Sequence, residues 1–181
     1  MHWNIDTAHS TVGFAVKHMA ISTVRGAFRD FTATAQTDDA GTLLSLSADI
    51  RAGSIDTGVA PRDAHLRSAD FFWADEHPEI TFRSTRVTRM GRDEYEVVGD
   101  LSMRGVTRPA TLTVVIGDSV RDGDGNARMA AEATGRINRR DWGLNWNQAL
   151  ELGGVLVSEE VKFTIDVQAV AAAPAEVPVP A

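Results

Sequence analysis

Apolar side chains recur at every second position through most of this chain, and that period leaves few folds open. From Thr11 to Met19, Val12, Phe14, Val16 and His18 share one face, and Gly13, Ala15 and Lys17 the other. Successive side chains of a strand point to opposite faces, so this is a strand with one face buried. Glu79 to Met90 reads as another. Tyr95, Val97, Gly99, Leu101 and Met103 form a third face, and Ala110, Leu112, Val114 and Ile116 a fourth. Met129, Ala131, Ala133, Gly135 and Ile137 continue the alternation. The last run is the clearest: Val155, Val157, Val161, Phe163, Ile165 and Val167 share parity, with Glu159 as the single exception. Trp3 to Asp6 reads as a short first strand or a plug.

The alternation slips in two places. Val24, Gly26 and Phe28 hold one phase, and Phe31, Ala33 and Ala35 the opposite one. A switch of that kind marks a bulge or a bend in a single long strand, Val24 to Thr37. Leu44, Leu46, Ala48 and Ile50 then alternate until the phase slips near Gly53. Turn residues separate the runs: Asp38-Asp39-Ala40-Gly41, Gly91-Arg92-Asp93, Arg104-Gly105 and Asp122-Gly123-Asp124-Gly125. The total is about eight strands, several longer than the roughly 5–6 residues usual in sandwiches. Long antiparallel strands at hairpin spacing predict an all-β fold closed into a barrel.

One stretch breaks the pattern for long, Arg62 to Phe82. Pro61 suits a first helical position, where its missing N–H would be unpaired anyway. Asp63 favours the positive end of a helix dipole. Arg62 and Leu66, and Asp63 and Arg67, stand four apart on one helical face. The helical pattern fades near Asp70, and Phe71, Phe72 and Trp73 follow before the chain re-enters a strand after His77-Pro78. This insertion either plugs a core or covers a cavity. Small residues at Ala33, Ala35, Ala131, Ala133 and Gly135 leave the same choice open: they sit opposite large ones in a packed core, or they leave room.

With 181 residues, the chain makes one domain, residues 1–170, followed by an Ala/Pro tail, residues 171–181, expected to be disordered. It contains no cysteine, which excludes disulfides and thiolate metal sites. A net charge of −7 argues against nucleic acid and against electrostatic binding to anionic membranes. The first ten residues lack a basic segment and an apolar run, so no secretory signal is expected and the expected location is cytoplasmic. No run approaches the roughly 18 apolar residues of a membrane span.

Catalytic and metal motifs are missing. His2, His9, His18, His65 and His77 have no ligand spacing. The Asp122–Asn126 loop resembles a calcium loop only at first sight, because Ala127 and Ala133 stand where glycine and glutamate are needed. There is no G-x-S-x-G, no Walker lysine loop and no G-x-G-x-x-G. No catalytic residue, metal or cofactor is therefore assigned. Polar handles remain. His18, on an apolar face, is a hydrogen-bonded core residue or a contact for a ligand head group. Arg62 and Arg139 could hold an anionic head bidentately, or pair with Asp63 and Asp141 to hold their loops.

Several blocks now stand in a telling order. They are Trp3-Asn4-Ile5-Asp6 with His9-Ser10, Phe14-Ala15-Val16-Lys17-His18, and Val24-Arg25-Gly26-Ala27-Phe28. Arg62-Asp63-Ala64-His65-Leu66-Arg67-Ser68-Ala69-Asp70-Phe71-Phe72 comes next, then Pro78 to Ser84, Gly99 to Pro109, and Asn138-Arg139-Arg140-Asp141-Trp142-Gly143-Leu144. Together they make the chain resemble the YceI-like family, lipocalin-like bacterial proteins that bind polyisoprenoid and related lipids. The resemblance runs from Trp3 to about Val167.

What the resemblance implies is an elongated eight-stranded antiparallel barrel with a short helical insertion, its apolar tunnel holding a lipid chain. A polyisoprenoid, an isoprenoid quinone or a fatty-acyl compound would be bound for sequestration or transport, with no reaction catalysed, and the protein would be a homodimer. The expected ligand contacts begin with Phe14, Val16, His18, Phe28 and Phe31. Phe71, Phe72 and Phe82 follow, then Leu101, Met103 and Leu112, and finally Trp142, Leu144 and Trp146. Two departures stand out. Many relatives carry a signal peptide, and many have Phe at the position of Trp142, whose larger ring would reshape one end of the tunnel. The alternative function is an enzyme acting on a small apolar substrate in the same cavity, with His18 or His65 as general base near Asp63 or Asp141.

Overall fold

A computed structural model describes residues 1–172. Its strands are β1 (His2–Ile5), β2 (Thr11–His18), β3 (Ser22–Phe28), β4 (Phe31–Thr37), β5 (Leu43–Arg51) and β6 (Ile55–Asp56). After the helix α1 (Ala60–Arg67) come β7 (Glu79–Arg89), β8 (Glu94–Met103), β9 (Val106–Ile116), β10 (Val120–Arg121), β11 (Ala127–Asn138) and β12 (Val157–Ala171). These form an eight-stave closed antiparallel barrel, because several staves are bent and count as two strands. β1 and β2 make one stave, β3 and β4 the next, β5 and β6 the third, and β10 prolongs β9. The pairings show it: β2 lies on β3 with Phe14 opposite Gly26, while β1 lies on β4 with Trp3 opposite Ala35. β12 closes the ring. One edge pairs with β11 from Arg128–Val170 to Asn138–Glu160, and the other with β2 and then β1. Each stave neighbours the next in sequence, and closure leaves no long free edge to aggregate.

The expected single strand from Val24 to Thr37 is divided. It turns a corner at Arg29–Asp30, and the residues on either side present opposite parities to the interior. The slip near Gly53 is a short 3₁₀ turn, Ala52–Ser54. The phase expected for Leu44 is corrected. The register shifts between Gln36 and Thr37, so Leu43 enters the core at 4% exposure while Leu44 stays 55% exposed. The helix ends at Arg67, before Asp70, because Ser68 is extended and its N–H returns to the His65 carbonyl. At the other end of the domain, β12 continues to Ala171, one residue past the expected boundary, and the Ala172 N–H donates to the His2 carbonyl. The rest of the expected tail lies outside the described residues.

Two apolar clusters fill the ends. At the end away from the helix, Trp3, Leu43, Tyr95, Ile116, Met129 and Ala169 pack together. Trp3 Nε1 donates to Thr37 Oγ1 at 3.0 Å, which satisfies its buried N–H. At the helix end, Val12, Phe28, Ile55, Ile80, Met103, Trp142 and Leu144 cluster. Between them the interior is lopsided. Inward residues of β8 and β9, such as Val97, Leu112 and Val114, are buried. Inward residues of β2 and β12, such as Phe14, Val161, Phe163 and Ile165, are only half-buried although they face the inside. A packed interior would cover both sides equally.

Candidate functional site: an apolar tunnel

The half-buried faces look onto an internal cavity of about 430 Å³. Its wall includes Val157 and Ala169, near the two ends of the inward row of β12. Twelve residue steps at about 3.3 Å give roughly 40 Å of strand, or about 30 Å along a barrel axis inclined by about 40°. The cavity is therefore a tunnel and not a compact pocket. Its volume is in the usual range of about 300–1,000 Å³ for ligand sites.

Three glycines explain how the lumen stays open. Gly26, Gly99 and Gly135 face inward, and each is covered by a phenylalanine ring from the adjoining strand: Phe14, Phe82 and Phe163 respectively. A Cβ at Gly26 would lie 2.4 Å from Phe14 Cζ, at Gly99 2.4 Å from Phe82 Cζ, and at Gly135 2.3 Å from Phe163 Cζ. With no side chain beneath them, the rings lie flat along the wall instead of crossing the bore.

The helix end carries the polar features. Arg62, His65 and Leu66 share the inner face of α1, as their spacing requires, and all three line the tunnel. The cover is pinned by arginines. Arg62 Nε donates to Thr57 Oγ1 at 2.7 Å, and Arg67 donates to the Gly53 and Ile55 carbonyls at 2.7 and 2.9 Å. Arg104 donates to the carbonyls of Ala69 and Phe71. His65 stacks edge-on against Phe71 and Trp146, at 5.1 and 4.7 Å between ring centres. Arg139 lies over the Phe71 ring at 5.9 Å. Arg139 is 4% exposed, and this burial lowers its pKa from the usual arginine value.

The structure brings together most of the expected contacts. Phe14, Val16, His18, Phe28, Phe71 and Phe72 line the tunnel, as do Phe82, Leu101, Met103, Leu112, Leu144 and Trp146. Two do not. Phe31 opens β4 just past the corner, and its ring fills the helix-end core. Trp142 ends a short 3₁₀ turn and donates its ring N–H to the Leu101 carbonyl at 2.8 Å. It fastens that turn to β8, so its size does not reshape the bore. The β12 row of Val161, Phe163, Ile165 and Val167 was missing from the expected contacts, although its shared parity was the strongest strand signal in the chain.

The charged pairs expected at the mouth are replaced by other partners. Asp63 accepts from Thr57 N and Oγ1 at 2.9 and 2.6 Å. Asp141 contributes its backbone carbonyl to Arg108 at 2.8 Å. His65 pairs with Asp70 at 2.8 Å, with neither Asp63 nor Asp141 as its partner. His18 lines the tunnel without a side-chain hydrogen bond among the described residues. The general-base pairs required by the enzyme alternative are thus not formed. Among the described residues no group of three or more His, Asp or Glu side chains could hold a metal, and no helix is long and apolar enough to cross a membrane.

A closed eight-stave barrel with an apolar bore and a helical cover defines a lipocalin-like barrel protein. The chain belongs to the YceI-like family, whose domain model matches residues 3–169. It is 41% identical over 165 residues to the UPF0312 protein SA2479 of Staphylococcus aureus (strain N315), covering 90% of this chain and 93% of that one. The crystal structure of the Campylobacter jejuni YCEI protein superposes with a TM-score of 0.76 at 29% identity, over 93% of this chain and 97% of that one. A polyisoprenoid binding domain from Saccharophagus degradans has the same fold, with a TM-score of 0.65 at 15% identity over 94% and 98% of the two chains.

Proposed function

We propose that this protein binds a long-chain apolar lipid in the tunnel and sequesters or carries it, without catalysing a reaction. The observation that carries this reading is the continuous apolar bore, held open by glycines under phenylalanine rings. Chain length follows from magnitudes. Burying a methylene contributes about 0.8 kcal/mol, whereas association costs roughly 4–15 kcal/mol in lost freedom. A chain of about six carbons offsets only the lowest of these costs, and one of about sixteen or more exceeds most of the range. Polyisoprenoids, isoprenoid quinones and fatty-acyl compounds meet the requirement, and the S. degradans domain is a polyisoprenoid binder. The same reading has the protein acting as a homodimer, which light scattering of the purified chain tests. The ligand itself is tested by solvent extraction and mass spectrometry. A near-stoichiometric long-chain molecule is expected. No such molecule, together with no uptake of a long-chain fluorescent probe, overturns the proposal.

A further inference from the structure

We infer that the ligand carries an anionic head, a carboxylate or a phosphate ester, held at the helix end of the tunnel by Arg62 and Arg139. This rests on the lipid-binding reading and adds the chemistry of the head and the direction in which the lipid lies.

Among the described residues the wall carries two permanently charged side chains, and both are cations. No described aspartate or glutamate lines the tunnel; Arg62 and Arg139 do. A buried guanidinium without a counter-ion is costly, which is why buried charges are usually paired. The hydrogen bonds of Arg139 go to neutral acceptors: the carbonyls of Leu144 at 2.5 Å, Ser158 at 2.9 Å and Val157 at 3.4 Å. Glu159, the acid whose field it feels most, is bonded to Arg140 at 2.8 Å and to Asn138 at 3.3 Å. Arg62 is only half-buried, but its hydrogen bonds also go to neutral acceptors. It donates to Thr57 Oγ1 and to the Thr57 carbonyl at 2.7 and 3.0 Å, and its Nη1 makes no hydrogen bond among the described residues. The neighbouring acids are engaged elsewhere, Asp63 with Thr57 and Asp70 with His65.

These cations stand at one end. Phe71 links them: Arg139 lies over its ring, and His65, one turn from Arg62 on α1, packs against its edge. The opposite end is closed by Trp3, Leu43 and Tyr95, and among the described residues no charged side chain there lines the tunnel. An amphiphile therefore lies with its head under the helix and its tail towards Trp3. Guanidinium groups suit both carboxylate and phosphate oxygens, since their forked donors bind two oxygens at once.

Matched ligands test this in the wild-type protein. Oleate is compared with oleyl alcohol, and geranylgeranyl diphosphate with geranylgeraniol, by displacement of a neutral long-chain fluorescent probe. The anion of each matching class is expected to bind at least about 10-fold more tightly than its alcohol, equivalent to about 1.4 kcal/mol. Which pair shows the preference identifies the head as carboxylate or phosphate. In Arg62→Gln the preference should shrink while the alcohols bind as before. Arg139 also clamps the 144–158 segment, so its role is read without substitution. The carboxyl carbon of bound [1-¹³C]oleate should titrate at lower pH than in oleate bound to a neutral detergent micelle. Equal binding of anion and alcohol in both pairs overturns the inference alone, and so, where oleate is the preferred anion, does a bound carboxyl titrating no lower than in the micelle. Failure of all four ligands to bind overturns the lipid reading with it.

Discussion

Replacing Gly26 with alanine should narrow the tunnel without unfolding the barrel. The added Cβ would lie 2.4 Å from Phe14 Cζ and 2.8 Å from Cε1, against an ordinary contact of 3.4–4 Å. The ring tip must therefore move by at least about 1 Å. The wall is behind it and the bore in front, so it moves into the bore. Overpacking costs about 1–3 kcal/mol, and replacing a strand glycine returns about 0.5–1 kcal/mol of that. The net loss of folding stability is about 0–2.5 kcal/mol, within the margin of a typical domain. Ligand binding should suffer more. A ring that excludes two or three methylenes removes about 2 kcal/mol, or roughly 30-fold in affinity. Gly26 is the best of the three glycines to change because its contacts are side-chain atoms. At Gly99 and Gly135 the new carbon also meets backbone oxygens, Arg83 O at 2.6 Å and Thr111 O at 2.8 Å, and would distort the wall itself. Long-chain probe titration and urea denaturation read the two effects separately. Adding Phe14→Leu to Gly26→Ala should restore affinity. Wild-type binding by Gly26→Ala, or no rescue in a folded double variant, would refute the idea that these glycines keep the bore open.

The remaining predictions concern the cover, the fastenings and the empty state. Leu66→Asp and Phe72→Asp each place a carboxylate on the tunnel wall and should abolish lipid retention, whereas Asp124→Lys, in a distant exposed loop, should leave it intact; co-purified lipid measured by mass spectrometry decides. Trp142→Phe removes the bond to the Leu101 carbonyl and should lower stability in urea by about 1–3 kcal/mol, with chain-length preference unchanged. Arg128 beside Asp122, helped by the Asn126 and Asp124 N–H groups, lowers its carboxyl pKa to about 2. A depressed carboxyl pKa stabilises the fold above its unfolded value of about 3.9, and that contribution is lost as pH falls towards about 2. Asp122→Asn should therefore flatten the stability profile across this window, and an unchanged slope in pH-stepped denaturation would count against the pairing. Stripping the lipid should lower the melting temperature, and adding ligand to about 100 times its Kd should return about 2.7 kcal/mol of stability.

Much of this was legible in the sequence, for identifiable reasons. Period-two alternation is local, so the strands of Val12–His18, Tyr95–Met103 and Ala110–Ile116 could be read directly. The Leu43/Leu44 exchange could not, because a bulge between Gln36 and Thr37 is decided by the pairing partner. Phe31 and Trp142 had the right chemistry for a tunnel wall, but the corner at Arg29–Asp30 and the Leu101 carbonyl directed them elsewhere. The partners of Asp63 and His65 were similarly hidden. Thr57 approaches Asp63 from before the helix and Asp70 approaches His65 from after it, while sequence spacing shows only contacts along one helical face.

The glycine–phenylalanine pairs bear on why this barrel is hollow at all. Eight staves enclose a space that side chains can just fill, so an open bore needs a specific cause. Small residues alone are not enough, since neighbouring large ones could lean into the gap. Here three of the largest inward side chains, Phe14, Phe82 and Phe163, are drawn onto three inward glycines on adjoining strands. The pairs occupy three separate seams, β2 with β3, β7 with β8, and β11 with β12. Rings lying along the wall in three seams leave the axis clear over much of its length. A void left by apolar side chains is destabilising, by about 24 cal/mol per Å³ in mutational series. Over about 430 Å³ that is an upper bound of about 10 kcal/mol, comparable to the whole stability of a typical domain. Selection for stability alone would have filled the bore with larger side chains at its small inward positions, such as Ala33, Ala131 and Ala133. Keeping it open makes sense when a lipid chain takes the place of those side chains.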